Sequence, residues 1–231
     1  MTDILTIFRK ELMETTGDRQ SVRGVLLQAG IITLLTGIVV PWLNPSIWKN
    51  VSTLLMLYAI FPSTLAATIA ADAFAGERER RTLESLLATP LGDRAIYLGK
   101  VATALFFVIC VAAISLFAGI ATGVVRGQLP EYFPPLLFVA VPGGALAGAL
   151  MVAAVTMAIS TRSAVARSAQ QMGSFSTYVF AGLTVSAIRL LGKRLDWVAI
   201  LEADVCLFVL GCIGLTIGMC RFRRDRFFEG T

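Results

Sequence analysis

Residues 73 to 94, AFAGERERRTLESLLATPLGDR, form the most charged stretch of the chain, set between two of its most apolar stretches. Glu77, Arg78, Glu79, Arg80, Arg81 and Glu84 alternate acid and base around Thr82. Groups of this kind recognise a complementary surface, or they solvate a loop. Other chemistries are excluded by residue type. The chain has no histidine, which removes zinc-protease, serine–histidine and haem-ligating sites. Cys110, Cys206, Cys212 and Cys220 lie in apolar segments without C-x-x-C spacing and read as small apolar fillers. There is no G-x-x-x-x-G-K-[ST]: Gly99-Lys100 is followed by Val101, and Arg94 stands where the first glycine belongs. The chain therefore holds no ATP by a P-loop, and no cofactor or metal is expected on it.

The elements that position this stretch are membrane helices. Of 231 residues, 56% are hydrophobic and 15% charged, against about 25% charged in soluble domains. Uncharged runs cover residues 24–48, 50–71, 101–125, 132–161, 168–188 and 205–220. A crossing of a ~30 Å hydrocarbon core needs about 20 apolar residues. The first five runs suffice. The last must extend back to about Trp197 and take in Glu202 and Asp204. Counted from Cys220, these lie about 27 and 24 Å up the helix axis, near the far interface, where pairing with Arg189 or Arg194 is expected. The predicted fold is an all-α integral membrane protein of one domain with six transmembrane helices, at 24–43, 50–71, 101–125, 135–160, 169–190 and 197–220.

Six crossings put both termini on one side. That side carries fifteen of the 20 Lys and Arg residues, including Arg78, Arg80, Arg81, Arg94 and Lys100, so it is cytoplasmic. The same bias explains the net charge of +5 without nucleic acid. Residues 1–20 are too mixed in charge for a cleavable signal. Ile4, Leu5, Ile7, Phe8 and Leu12 share one side of a helix, predicting an amphipathic helix on the membrane surface.

Residues 72–90 read as one short helix, started by Asp72 and stopped by Pro90. Glu77–Arg81 and Arg80–Glu84 are spaced as supporting i,i+4 pairs. A second turn starts at Gly92-Asp93 and runs into Lys100. On residue chemistry alone, a solvated loop and a docking helix for a soluble partner weigh about equally.

The stretch GERERRTLESLLATPLGDRAIYLGK resembles the cytoplasmic signature of type-2 ABC exporter permeases, in which E-R-E-x-x-T-L-E-x-L-L-x-T-P ends in G-K where the third span begins. FRKEL at residues 8–12 is similar to that family's connecting helix, and Arg81 departs from a position where many members carry glycine. The resemblance implies a coupling helix within 72–100, between spans two and three. It would dock a separate ATP-binding subunit through Glu77, Arg78, Glu79, Arg80, Arg81, Thr82 and Glu84, with Arg9, Lys10 and Glu11 of the connecting helix adding contacts. It further implies two ATP-binding subunits carrying ATP and Mg, a second permease chain (a copy or a paired homologue), and a prokaryotic plasma membrane, bacterial inner or archaeal. The chain itself would not be an enzyme.

Two polar faces are candidates for the translocation path. One holds Thr64 and Thr68 beside an expected kink at Pro62. The other holds Gln170, Ser174, Thr177 and Thr184, at steps of four, three and seven. Ordinary hydrogen bonding between helices is the competing reading. Gly119/Gly123, Gly144/Gly148 and Gly214/Gly218 allow close helix contacts, within one chain or between two. A stand-alone secondary transporter or channel is the rival function. It should lack a docking motif and carry intramembrane charge.

Overall fold

The computed structural model describes residues 2–17, 19–49, 51–82, 91–128, 135–163, 165–190 and 197–221. Among them every element is helical. α1 (Thr2–Gly17) precedes α2 (Arg19–Leu34), which passes through a π-helical turn (Leu35–Val39) into α3 (Val40–Leu43). A short 3-10 helix (Pro45–Lys49) leads to α4 (Val51–Leu55), a second π turn (Met56–Ile60), α5 (Phe61–Ala71), a third π turn (Asp72–Gly76) and α6 (Glu77–Glu79). Four long helices complete the chain: α7 (Asp93–Arg126), α8 (Leu137–Ser160), α9 (Ala166–Leu190) and α10 (Trp197–Arg221).

Five segments among the described residues are long and apolar enough to cross a membrane: Gly24–Leu43, Thr53–Glu79, Asp93–Arg126, Leu137–Ser160 and Leu201–Cys220. α9, the helix at the expected fifth crossing, has 25 residues and the length to span. Its polar residues, among them Gln170, Gln171, Ser174 and Thr177, keep it out of the apolar set. Large apolar side chains such as Leu27, Phe117, Val125 and Val205 point outward, as suits a chain whose solvent is lipid.

The π turns have local causes. The first two each end two residues before a proline, Pro41 and Pro62. Proline cannot donate to the carbonyl four residues back, and a widened turn accommodates the loss. A π turn thus stands just before Pro62, where a kink is expected. The third has no proline. Ser160 of α8 bridges it instead: its hydroxyl accepts from the Ala75 N–H at 3.0 Å and donates to the Ala71 carbonyl at 2.8 Å.

The interior is packed on small residues. α8 lies against α5 and, over the broadest surface, against α10. A methyl on Gly214 would stand 3.2 Å from Ala154 Cβ, and one on Gly211 would stand 2.9 Å from Leu150 Cδ2. Gly119 gives room to the Tyr58 phenol and Gly218 to that of Tyr97. The close contacts that Gly119, Gly144, Gly148, Gly214 and Gly218 permit are therefore made within this chain.

Candidate functional site

The charged stretch is not a separate helix over 72–90. The helix of the second apolar segment runs on through Asp72 and the third π turn to Glu79. Asp72 consequently starts nothing; its carboxylate accepts from Arg80 at 2.9 Å. The helix ends in a Schellman cap: the Arg81 N–H donates to the Arg78 carbonyl (3.1 Å) and the Thr82 N–H to the Glu77 carbonyl (2.9 Å). Arg81 takes φ +57°, a left-handed conformation that costs a residue with a Cβ roughly 1–2 kcal/mol and glycine far less. α7 ends in the same way with a glycine, Gly127, in that position at φ +61°. Pro90, Glu84 and the leucines at 83, 86 and 87 lie outside the described residues.

The expected Glu77–Arg81 pair is replaced by longer-range contacts. Glu77 is buried, 6% exposed, and its carboxylate accepts from Lys100 Nζ at 2.9 Å. The same ammonium donates to Glu11 of α1 at 2.7 Å and stands 5.5 Å from the centre of the Phe74 ring. Lys100 is itself 2% exposed. One cation thus holds carboxylates from two other elements, with α1 locked further by Ile7 against Gly99. An ammonium this deep in the protein is tolerable only because it is paired twice.

Neighbouring charges fasten the remaining helix ends. Arg78 donates to the carbonyls of Ser163 (2.6 Å) and Thr161 (3.1 Å) just past α8. The Glu79 carboxylate accepts from the Ala166 N–H at 2.8 Å, the favourable place for an acid at the start of α9. One end of the bundle therefore brings α1, α6, α7, α8 and α9 together through Glu11, Glu77, Arg78, Glu79 and Lys100. Glu79, Arg80, Arg81 and Thr82 are exposed there, as are Arg9 and Lys10 on α1. The sequence pointed to the stretch but not to its inward half. Lys100 stood out only as the end of a motif, and Ser160 had no signal.

The polar face residues meet one another. Gln170 donates to Thr68 Oγ1 at 3.0 Å, and Thr68 donates to Gln28 Oε1 of α2 at 2.6 Å. Three helices are tied by this chain of hydrogen bonds, with Gln28 the member that sequence reasoning missed. Thr64 donates to its own helix at the Phe61 carbonyl, 2.7 Å away. Ser174 is half-buried and Thr177 fully buried; the side chain of Thr184 lies outside the described residues. Glu202 is exposed, but Asp204, expected at an interface, is buried at 6% exposure beside Gly143 and Gly144 of α8. The side chains of the expected partners Arg189 and Arg194 lie outside the described residues.

An all-helical chain with several membrane-length apolar helices and ion-paired helix ends is a multi-pass membrane protein. Residues 46–199, two thirds of the chain, match the family model described as ABC-2 family transporter protein. The chain belongs to that family and is a membrane component of an ABC transporter rather than its catalytic part. No curated protein matches it.

Proposed function

We infer that the chain is the permease subunit of an ATP-driven exporter, crossing a prokaryotic plasma membrane six times with both termini cytoplasmic. It works as one half of a pair of permease chains with two ATP-binding subunits, which carry ATP and Mg. The observation that carries this reading is the Lys100 cluster. A partner pressing on the exposed face of Glu79, Arg80, Arg81 and Thr82 presses on a turn whose first residue, Glu77, is bonded to α7 and, through Lys100, to α1. Closure of two ATPases on that turn would be felt together by α1 and by the second and third membrane-directed segments, a requirement for switching a cavity between two sides. Glu84 extends the same face in sequence, and Arg9 and Lys10 border it on α1. The hydrogen-bonded chain Gln170–Thr68–Gln28 would be a joint between helices that rearranges during the switch, with Thr64, Ser174, Thr177 and Thr184 as further candidates for the path.

The test is co-purification from native membranes. The tagged chain should bring down an ATP-binding subunit, labelled by azido-ATP, and should hydrolyse no ATP once stripped of it. The double reversal Arg9→Glu and Arg81→Glu touches exposed charges and should leave size-exclusion profile and melting intact. Each buried, hydrogen-bonded charge lost from an interface costs about 2–5 kcal/mol. Two together, at about 4 kcal/mol or more, weaken association by roughly 1,000-fold. A doubly reversed chain that keeps its ATPase and its transport rate would refute the docking assignment.

A further inference from the structure

The end of the bundle opposite Lys100 holds a carboxylate that the coupling reading does not use. Asp204 lies seven residues into α10, Gly144 seven residues into α8, and Ala59 eight residues past the start of α4 at Val51, so the three sit about 10–12 Å along from the starts of their helical runs. A methyl added to Gly144 would stand 3.2 Å from both Asp204 Oδ1 and Ala59 Cβ, and one added to Gly143 would stand 3.7 Å from Oδ2. Asp204 Oδ2 has no hydrogen-bond partner among the described residues. One turn along α8, Gly148 lies beneath the Phe180 ring of α9, at 3.0 Å from the would-be methyl, with Ser63 Oγ at 2.6 Å. Ile60, Ala147, Phe180, Ala181 and Leu207 close this seam as one buried apolar cluster, with Met151 packed on it.

Four membrane-directed helices thus converge on a glycine floor with a carboxylate over one glycine and an aromatic ring over the next. Backbone hydrogen bonding is interrupted at the same depth. The π turn Met56–Ile60 precedes Pro62, and Pro142 stands inside α8 immediately before Gly143. Irregular backbone of this kind is where membrane helices open around a ligand. An intramembrane carboxylate without a partner calls for a cation. A metal ion needs several oxygen ligands, and no group of three His, Cys, Asp or Glu able to hold one occurs among the described residues. A carboxylate beside an aromatic ring, a thioether and aliphatic side chains instead matches an organic cation with an apolar body.

We propose that Asp204 and Phe180, over the Gly144–Gly148 floor, form the recognition point for a lipophilic organic cation, which enters when the seam between α5, α8, α9 and α10 opens. This names a substrate class for the exporter and rests on that reading for the direction of transport, but cation binding needs no ATPase. The measurement is equilibrium binding of radiolabelled tetraphenylphosphonium to the full chain in nanodiscs, with tetraphenylborate as the size-matched anion. The wild type should bind the cation saturably and the anion at least tenfold more weakly. Asp204→Asn should lose at least tenfold in cation affinity, Asp204→Glu should retain most of it, and Phe180→Leu, which keeps the carboxylate, should lose several-fold. Absence of saturable cation binding by the wild type, or undiminished affinity in both Asp204→Asn and Phe180→Leu, overturns the proposal. Co-purification of the ATP-binding subunit is scored on the same membranes. Binding without an ATPase refutes the exporter and leaves this site standing; an ATPase without binding does the reverse.

Discussion

Lys100→Met removes the ammonium to which Glu11 and Glu77 are both bonded, and so tests whether this cluster holds the end of the bundle. The side chains of Glu11 and Glu77 are 14% and 7% exposed, so water screens the remaining carboxylates poorly. Removing one partner of a buried pair costs about 3–5 kcal/mol, mostly the uncompensated charge left behind. At about 2–4 °C per kcal/mol for a chain of this size, the melting midpoint in detergent should fall by about 10 °C. Replacing all three groups, as Glu11→Gln, Glu77→Gln and Lys100→Met, leaves no buried charge and should recover most of that loss. Glu11→Gln alone keeps the Glu77–Lys100 pair and an acceptor at position 11, and should cost far less than Lys100→Met. Melting of the purified chain, followed by tryptophan fluorescence and by size-exclusion after heating, separates these cases. A Lys100→Met midpoint within 2 °C of wild type (at most about 1 kcal/mol) would show that the ammonium does not carry the cluster.

Two substitutions test the backbone and the packing. Arg81→Gly relieves the left-handed strain at φ +57° and should stabilise the chain by about 0.5–1 kcal/mol after the entropy cost of glycine; a lowered melting midpoint would mean that the arginine side chain contributes more than its backbone costs. Gly119→Ala puts a methyl where the Tyr58 phenol stands and should cost about 1–3 kcal/mol, and the added change Tyr58→Phe should restore part of it, since that phenol oxygen has no hydrogen-bond partner to lose while the ring carbon Cζ still stands 2.8 Å from the methyl; a double variant no better than Gly119→Ala would refute the contact.

The helices were legible because an uncharged run of membrane length admits few other structures. What those runs could not show was where a helix ignores its first charges. The second apolar segment ends at Ala71 by residue type, yet its helix continues to Glu79, because Glu77 and Arg78 find partners on α7 and beyond α8 that lie 23 and 85 residues away. Local spacing favoured Glu77–Arg81, worth about 0.2–0.5 kcal/mol on a helix surface; a buried pairing with Lys100 outweighs it. The position of Asp204 failed for a related reason. Axial distance places a residue in depth but not in azimuth, and the Gly143-Gly144 notch that accepts the carboxylate belongs to another helix.

The π turns also set which way the charged residues of the second apolar segment face. Each one inserts about one extra residue into the helical path, and one residue corresponds to about 100° of rotation. Every side chain beyond the Asp72–Gly76 turn is therefore displaced by roughly a quarter-turn from where a 3.6-residue period projects it. An uninterrupted helix that kept α5 in its observed packing would present position 77 in a different direction, and Glu77 would lose its approach to Lys100. Ser160 holds the turn in place by taking both backbone groups of Ala71 and Ala75. The charged stretch can then divide its work. Glu77 and Arg78 face inward and tie α6 to α7, α1 and the end of α8, while Arg80, Arg81 and Thr82, at and beyond the cap, stay exposed. A regular helix through 72–82 could not make that division with these residues in this order.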